Sequence, residues 1–178
     1  MKSSKVAKRY ARALMGLSSD HAQLEAWGAE LERLARIVDS PEVAAQLESP
    51  TVNHTDRMAA LGKIAERLDL SFPLRSFAVV VASHGRVADV IAMSEAYARM
   101  LDDLMGRARA TLTFAYQPTD DDLARVVAGL EAIAHKKIIP TTKVDASLVG
   151  GVVAELEGKI YDGSLATRLA DAERRLSG

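Results

Sequence analysis

Four histidines, His21, His54, His84 and His135, and the neighbouring carboxylates Glu30/Glu32 and Asp102/Asp103 are the side chains with which this chain would hold a metal or move a proton. Their spacing argues against both. The histidines are scattered between segments without ligand spacing, and carboxylates two or one residues apart on a helix point in divergent directions instead of converging on a substrate. Gly150, Gly151, Gly158 and Gly163 raise the question of a phosphate cradle, but they bracket short strands, where tight turns and bulges call for the same residue. The sequence has no G-x-x-x-x-G-K-[ST], H-E-x-x-H, G-x-S-x-G or G-x-G-x-x-G motif. No catalytic residue, cofactor-binding residue or metal ligand is therefore assigned. The absence of cysteine also removes disulfides, thiolate metal sites and sulfur redox chemistry.

What remains is surface recognition by a globular chain. The 178 residues are 48% hydrophobic and 26% charged with a formal net charge of -1, enough apolar material for a core and no global field for nucleic acid or an acidic membrane. Lys136-Lys137 is too short a basic run, and 4% aromatics too few, for a nucleic-acid platform. The longest apolar run, Phe77 to Ala82, falls far short of the roughly 18 residues of a membrane-spanning helix.

The first half reads as helix throughout. Lys2, Lys5, Lys8, Arg9 and Arg12 precede the first acid, Asp20, as in an import presequence, but Val6, Tyr10, Ala13, Leu14 and Leu17 follow helical spacing, so the stretch is read as a mature first helix. Leu24, Trp27, Leu31, Leu34 and Val38 form the second stripe. Ser40-Pro41 offers an N-cap and first-turn proline for a short third helix through Val43 and Leu47. Met58, Leu61, Ile64 and Leu68 mark a fourth. Ser71 is placed to cap a fifth through Leu74, Phe77, Val80 and Val81, stopped at His84-Gly85, and Val87 to Leu104 carries a sixth. Six helices with short connections predict a bundle.

After Arg107 the period changes to two: Leu112, Phe114 and Tyr116 alternate with Thr111, Thr113 and Ala115. Thr119 and Asp122 fit a capping box opening a helix that buries Leu123, Val126, Val127, Leu130 and Ile133. Pro140 marks Lys137 to Val144 as an edge strand, Val152–Leu156 and Lys159–Tyr161 read as a hairpin about Glu157-Gly158, and Ser164 is placed to cap a last helix with Leu165, Leu169 and Leu176. The expectation is a mainly α chain: a six-helix bundle over 1–106 followed by a small α+β domain over 107–178.

Val144-Asp145-Ala146-Ser147-Leu148-Val149-Gly150-Gly151, continuing through Gly158-Lys159-Ile160-Tyr161-Asp162-Gly163-Ser164 to Arg168-Leu169, resembles the C-terminal signature of ATP synthase delta subunits and their mitochondrial counterpart, the oligomycin-sensitivity-conferring protein. Val6 to Leu14 is similar to that family's opening helix. Asp145, Gly150, Gly151, Asp162, Gly163, Ser164 and Arg168 carry the signature; Pro140 departs from the plain extended segment usual there. The resemblance implies a non-catalytic stator subunit of a proton-translocating enzyme. Its N-terminal domain would hold amphipathic helices of the catalytic head's alpha subunits, and its C-terminal domain would meet the b subunits of the peripheral stalk. It further implies a peripheral place on the cytoplasmic face of a bacterial inner membrane, without insertion and without cofactors.

The first and fifth helices carry more apolar surface than one core needs, which makes Val6, Tyr10, Ala13, Leu14, Leu17, Leu74, Phe77, Ala78 and Val81 the expected head-binding residues. Three other readings stay open from the residues alone: a generic helical adaptor, an enzyme whose site assembles from dispersed polar residues, and an RNA-binding α+β module.

Overall fold

The structure is a computed structural model that describes residues 2–49, 52–148 and 150–163. The last helix expected from Ser164, with Arg168, lies outside them. Two compact units divide between Leu101 and Asp102. The first holds α1 (Lys2–Met15), α2 (His21–Asp39), α3 (Pro41–Glu48), α4 (His54–Arg67) and α5 (Phe72–Ser83), followed by a 3-10 turn (Val87–Asp89) and most of α6 (Val90–Leu104).

Helical periodicity accounts for its core. Leu24, Trp27, Leu31, Leu34 and Val38 of α2 are all buried, together with Leu61 and Ala65 of α4 and Val90, Met93, Tyr97 and Leu101 of α6. Tyr97 donates its hydroxyl to the Leu24 carbonyl at 2.9 Å, the partner that a buried phenol needs. Burial pushes its pKa up to about 12. A side chain at Gly28 would come within 3.2 Å of the Tyr97 ring, so glycine permits α2 and α6 to approach at this level.

The caps differ from those expected, for local reasons. Ser40 makes no side-chain cap for α3; its hydroxyl donates backwards to the Ile37 carbonyl at 2.7 Å and closes α2. Ser71 likewise does not cap α5. Its amide and hydroxyl both donate to the Glu30 carboxylate of α2, at 2.7 and 2.8 Å, so an anion from another helix sits at the positive end of α5.

The second unit is a four-stranded sheet of order β2-β1-β3-β4, with β1 (Arg107–Phe114), β2 (Lys137–Val144), β3 (Val152–Leu156) and β4 (Lys159–Asp162). β1 and β2 run parallel, joined by the crossover helix α7 (Asp120–Ala134). The hairpin β3–β4 pairs antiparallel to β1 and turns through Glu157 at φ 51 and Gly158 at φ 79, the two left-handed residues of a tight hairpin. Pro140 stands on the edge strand β2, where a missing amide is tolerated. Ala108, Ala110, Leu112 and Phe114 of β1, with Ile138, Ala154 and Leu156, form a core against Leu130 and the half-buried Leu123, Val126 and Val127 of α7. Thr119 and Asp122 make the reciprocal capping box.

Two expected core positions are displaced. β1 ends at Phe114, so Tyr116 lies beyond the pleat and is exposed. On α7 the inward stripe continues from Leu130 to Ala134, four residues on, which turns Ile133 outward.

Candidate functional site

α1 shows how one amphipathic helix can serve two surfaces. At about 100° per residue, Ala7, Ala11 and Leu14 share the face turned into the protein, and all three are buried. Tyr10 and Ala13 lie on the adjacent face and are half-buried and exposed, and Leu17, in the turn that follows α1, is exposed as well.

α5 is divided in the same way. Leu74, Phe77, Ala78 and Val81 are buried, whereas Phe72 is 81% exposed and Val79 and Val80 are a little under half exposed. Tyr10 meets Phe77 edge to face, with ring centroids 6.2 Å apart at 86°, tying α1 to α5. Above that pair runs an open groove of about 730 Å³. Its α1 wall is Arg9, Tyr10, Ala13 and Leu14, continued by Leu17 from the turn beyond Met15. Its α5 wall is Phe72, Pro73, Ser76, Phe77 and Val80, and Trp27 closes the floor.

Five of the nine residues assigned to this surface from sequence, Tyr10, Ala13, Leu14, Leu17 and Phe77, line the groove. Val6 is half-buried beside it. Leu74, Ala78 and Val81 do not line it and are buried in the core; because α5 is apolar almost all round, its sequence does not reveal which side faces inward. Absent from those nine are Phe72, Pro73, Ser76, Val80, Trp27, Gln23 and Arg9, which also line the groove. An exposed phenylalanine opening a helix was the available signal for the first.

The residues of the C-terminal signature build turns. The Asp145 amide donates to the Phe114 carbonyl at 2.9 Å, and its carboxylate accepts the Ser147 amide at 2.9 Å. Bonding to Ser147 holds that carboxyl below its usual range. Gly163 donates to the Val152 carbonyl, which a side chain there would approach to 3.2 Å. Gly150 and Gly151 sit at φ 156 and 85 between β2 and β3, and Asp162 ends β4. These positions set strand connections. Among the described residues no three His, Asp or Glu side chains converge as a metal site, and no helix is long and apolar enough to cross a membrane.

The model of the ATP synthase delta (OSCP) subunit family matches residues 6–176. The chain belongs to that family. Curated delta subunits agree with the assignment over nearly their whole length: that of Anaeromyxobacter dehalogenans is 32% identical over 173 residues, covering 96% of both chains. The Desulfatibacillum aliphaticivorans subunit is 28% identical over 177 residues, covering 99% of this chain and 97% of the relative. Among solved structures, a chain of the Toxoplasma gondii mitochondrial ATP synthase hexamer superposes with a TM-score of 0.65 over 97% of both chains at 18% identity, which speaks for a shared fold. The mainly helical chain with a small four-stranded sheet is thus a delta-family fold.

Proposed function

We propose that this delta-family chain is a structural stator subunit of a proton-translocating ATP synthase, joining the catalytic head to the peripheral stalk. In this reading α1 to α6 act as a six-helix bundle whose α1/α5 groove takes up amphipathic N-terminal helices of the head's alpha subunits. The α+β part from residue 107 meets the b subunits of the stalk. The chain stays peripheral, on the cytoplasmic face of a bacterial inner membrane, and leaves ATP chemistry to other subunits.

The observation that carries the reading is the groove itself. From Phe72 to Val80 its α5 wall covers nine residues, eight steps of about 1.5 Å or about 12 Å, roughly two turns. That length suits a helix presenting apolar residues at i, i+3 or i+4, and i+7. Persistence is the mechanical demand on a stator. With association near ~10⁶ M⁻¹s⁻¹, a nanomolar complex dissociates at about 10⁻³ s⁻¹, whereas a micromolar one lasts about a second. A near-neutral protein reaches such affinity by burying apolar surface, and Phe72, Leu17 and Val80 supply it.

Co-sedimentation tests the division of labour. Full-length chain should bind both heads depleted of their delta subunit and purified b-subunit dimers. A chain ending at Arg107 that retains its helical content should keep the first activity and lose the second. Loss of head binding in that folded fragment, or retention of b binding, overturns the assignment of the two ends.

A further inference from the structure

α1 has a third face, and it is cationic. Lys5, Lys8, Arg9 and Arg12 line a shallow cleft of about 560 Å³ with Ala13 at its edge. Arg9 and Ala13 also border the apolar groove, so the two surfaces are continuous along α1. The Arg9 guanidinium stands 5.7 Å from the centroid of the Tyr10 ring, holding one positive charge over the groove wall. All four cations are exposed, and among the described residues none forms an ion pair, whereas Arg36, Arg75 and Arg99 on other helices pair with Glu32, Asp69 and Glu95. The chain has no acid before Asp20. The opposite lip, on α5, presents Phe72, Ser76 and Val80 and no charge.

We infer that the helix docking in the α1/α5 groove carries acidic side chains along the flank that faces α1, where Lys5, Arg9 and Arg12 receive them. This rests on the helix-docking reading above and adds the partner's charge pattern and the sense in which it lies: acids toward α1, apolar or uncharged polar residues toward α5. One-sided charge on a chain of net charge -1 steers encounter locally, where a uniform field would not. An anionic bilayer would also meet these cations. The apolar surface beside them, however, is concave and about two helical turns long, which admits a rod and excludes a sheet of lipid.

Three designed amphipathic peptides of about 18 residues separate the possibilities. They share one leucine stripe at i, i+3, i+4 and i+7 and carry Glu, Gln or Lys on both flanks, so orientation in the groove does not matter. Binding to the full-length protein is measured by surface plasmon resonance at about 50 mM and about 500 mM salt. The Glu peptide should bind at least tenfold tighter than the Gln peptide at low salt, mainly through faster association, with most of the advantage lost at high salt. Lys5→Glu/Arg12→Glu, two exposed substitutions checked by circular dichroism, should invert the order and favour the Lys peptide. Equal binding of all three peptides to both proteins overturns the charge assignment and leaves helix docking standing. No binding of any peptide removes the docking reading, and the inference with it. Stronger binding to vesicles of roughly 30% phosphatidylserine than to the Glu peptide, unaltered by Phe72→Ala, assigns the face to lipid and also overturns it.

Discussion

Phe72 and Phe77 sit five residues apart on α5, both line the groove, and they should respond to truncation in opposite ways. Phe72 is 81% exposed at the groove lip; Phe77 is 9% exposed, under Tyr10. With a phenylalanine presenting roughly 200 Å² and about 25 cal/mol released per Å² covered, a docked helix covering half of the Phe72 ring gains about 2.5 kcal/mol. Phe72→Ala keeps one methyl of that, so head affinity should fall by about 2 kcal/mol, roughly thirtyfold, chiefly through faster dissociation. The free protein loses no packed contact of comparable size, and its unfolding free energy should stay within about 0.5 kcal/mol. Phe77→Ala instead opens the core beneath Tyr10 and should cost about 3 kcal/mol of stability. Urea unfolding of both variants, beside surface plasmon resonance on an alpha-subunit N-terminal peptide, reads the two axes separately. Undiminished peptide binding by a folded Phe72→Ala protein would refute the claim that this ring anchors the partner. A large stability loss in the same variant would refute the claim that it is free in the unbound chain.

Three further outcomes follow from contacts away from the groove. Tyr97→Phe removes the buried bond to the Leu24 carbonyl and should lower stability by about 1–2 kcal/mol in urea titration, and in the wild type the phenol should resist ionisation until about pH 12 by absorbance. Asp102, buried in the last turn of α6, accepts from Arg109 at 2.5 Å and faces Arg107 at 3.8 Å; because the Arg109 side chain is 62% exposed, Asp102→Ala should cost about 2 kcal/mol rather than the full penalty of a buried pair. Bonding to Thr119 lowers the Asp122 pKa, so its contribution is present above the usual carboxylate range and disappears as pH falls through the lowered value. Thr119→Val should therefore flatten the acid limb of the stability-versus-pH curve and leave the alkaline limb unchanged.

The parts of this structure that depend on neighbours in sequence were legible in it. The α2 stripe, the α7 capping box, the Glu157-Gly158 turn and the edge position of Pro140 each follow from a local rule of period, cap or backbone preference. The departures are tertiary. Ser71 looks like a cap until Glu30, forty-one residues earlier, supplies the carboxylate, and Ser40 serves the helix behind it instead of the one ahead. At the groove, the helices that form it could be chosen from excess apolar surface. Which side of α5 stays open is decided by what packs on the other side, so Leu74, Ala78 and Val81 were assigned to a partner when the core holds them. Trp27 reads as an ordinary α2 core residue, and only three-dimensional proximity brings its ring to the groove floor.

The chain contains no cysteine, so one introduced thiol is unique. Ser76, exposed on the α5 wall of the groove, provides the position, and Ala124, exposed on α7, provides the control. Each single-cysteine protein would be charged with a short photoactivatable cross-linker, assembled onto delta-depleted heads with their stalk, irradiated, and the adduct sequenced. The account predicts that Ser76→Cys captures the N-terminal segment of an alpha subunit and that Ala124→Cys does not. Capture of a b subunit from Ser76→Cys, or equal capture of alpha from both positions, would contradict it.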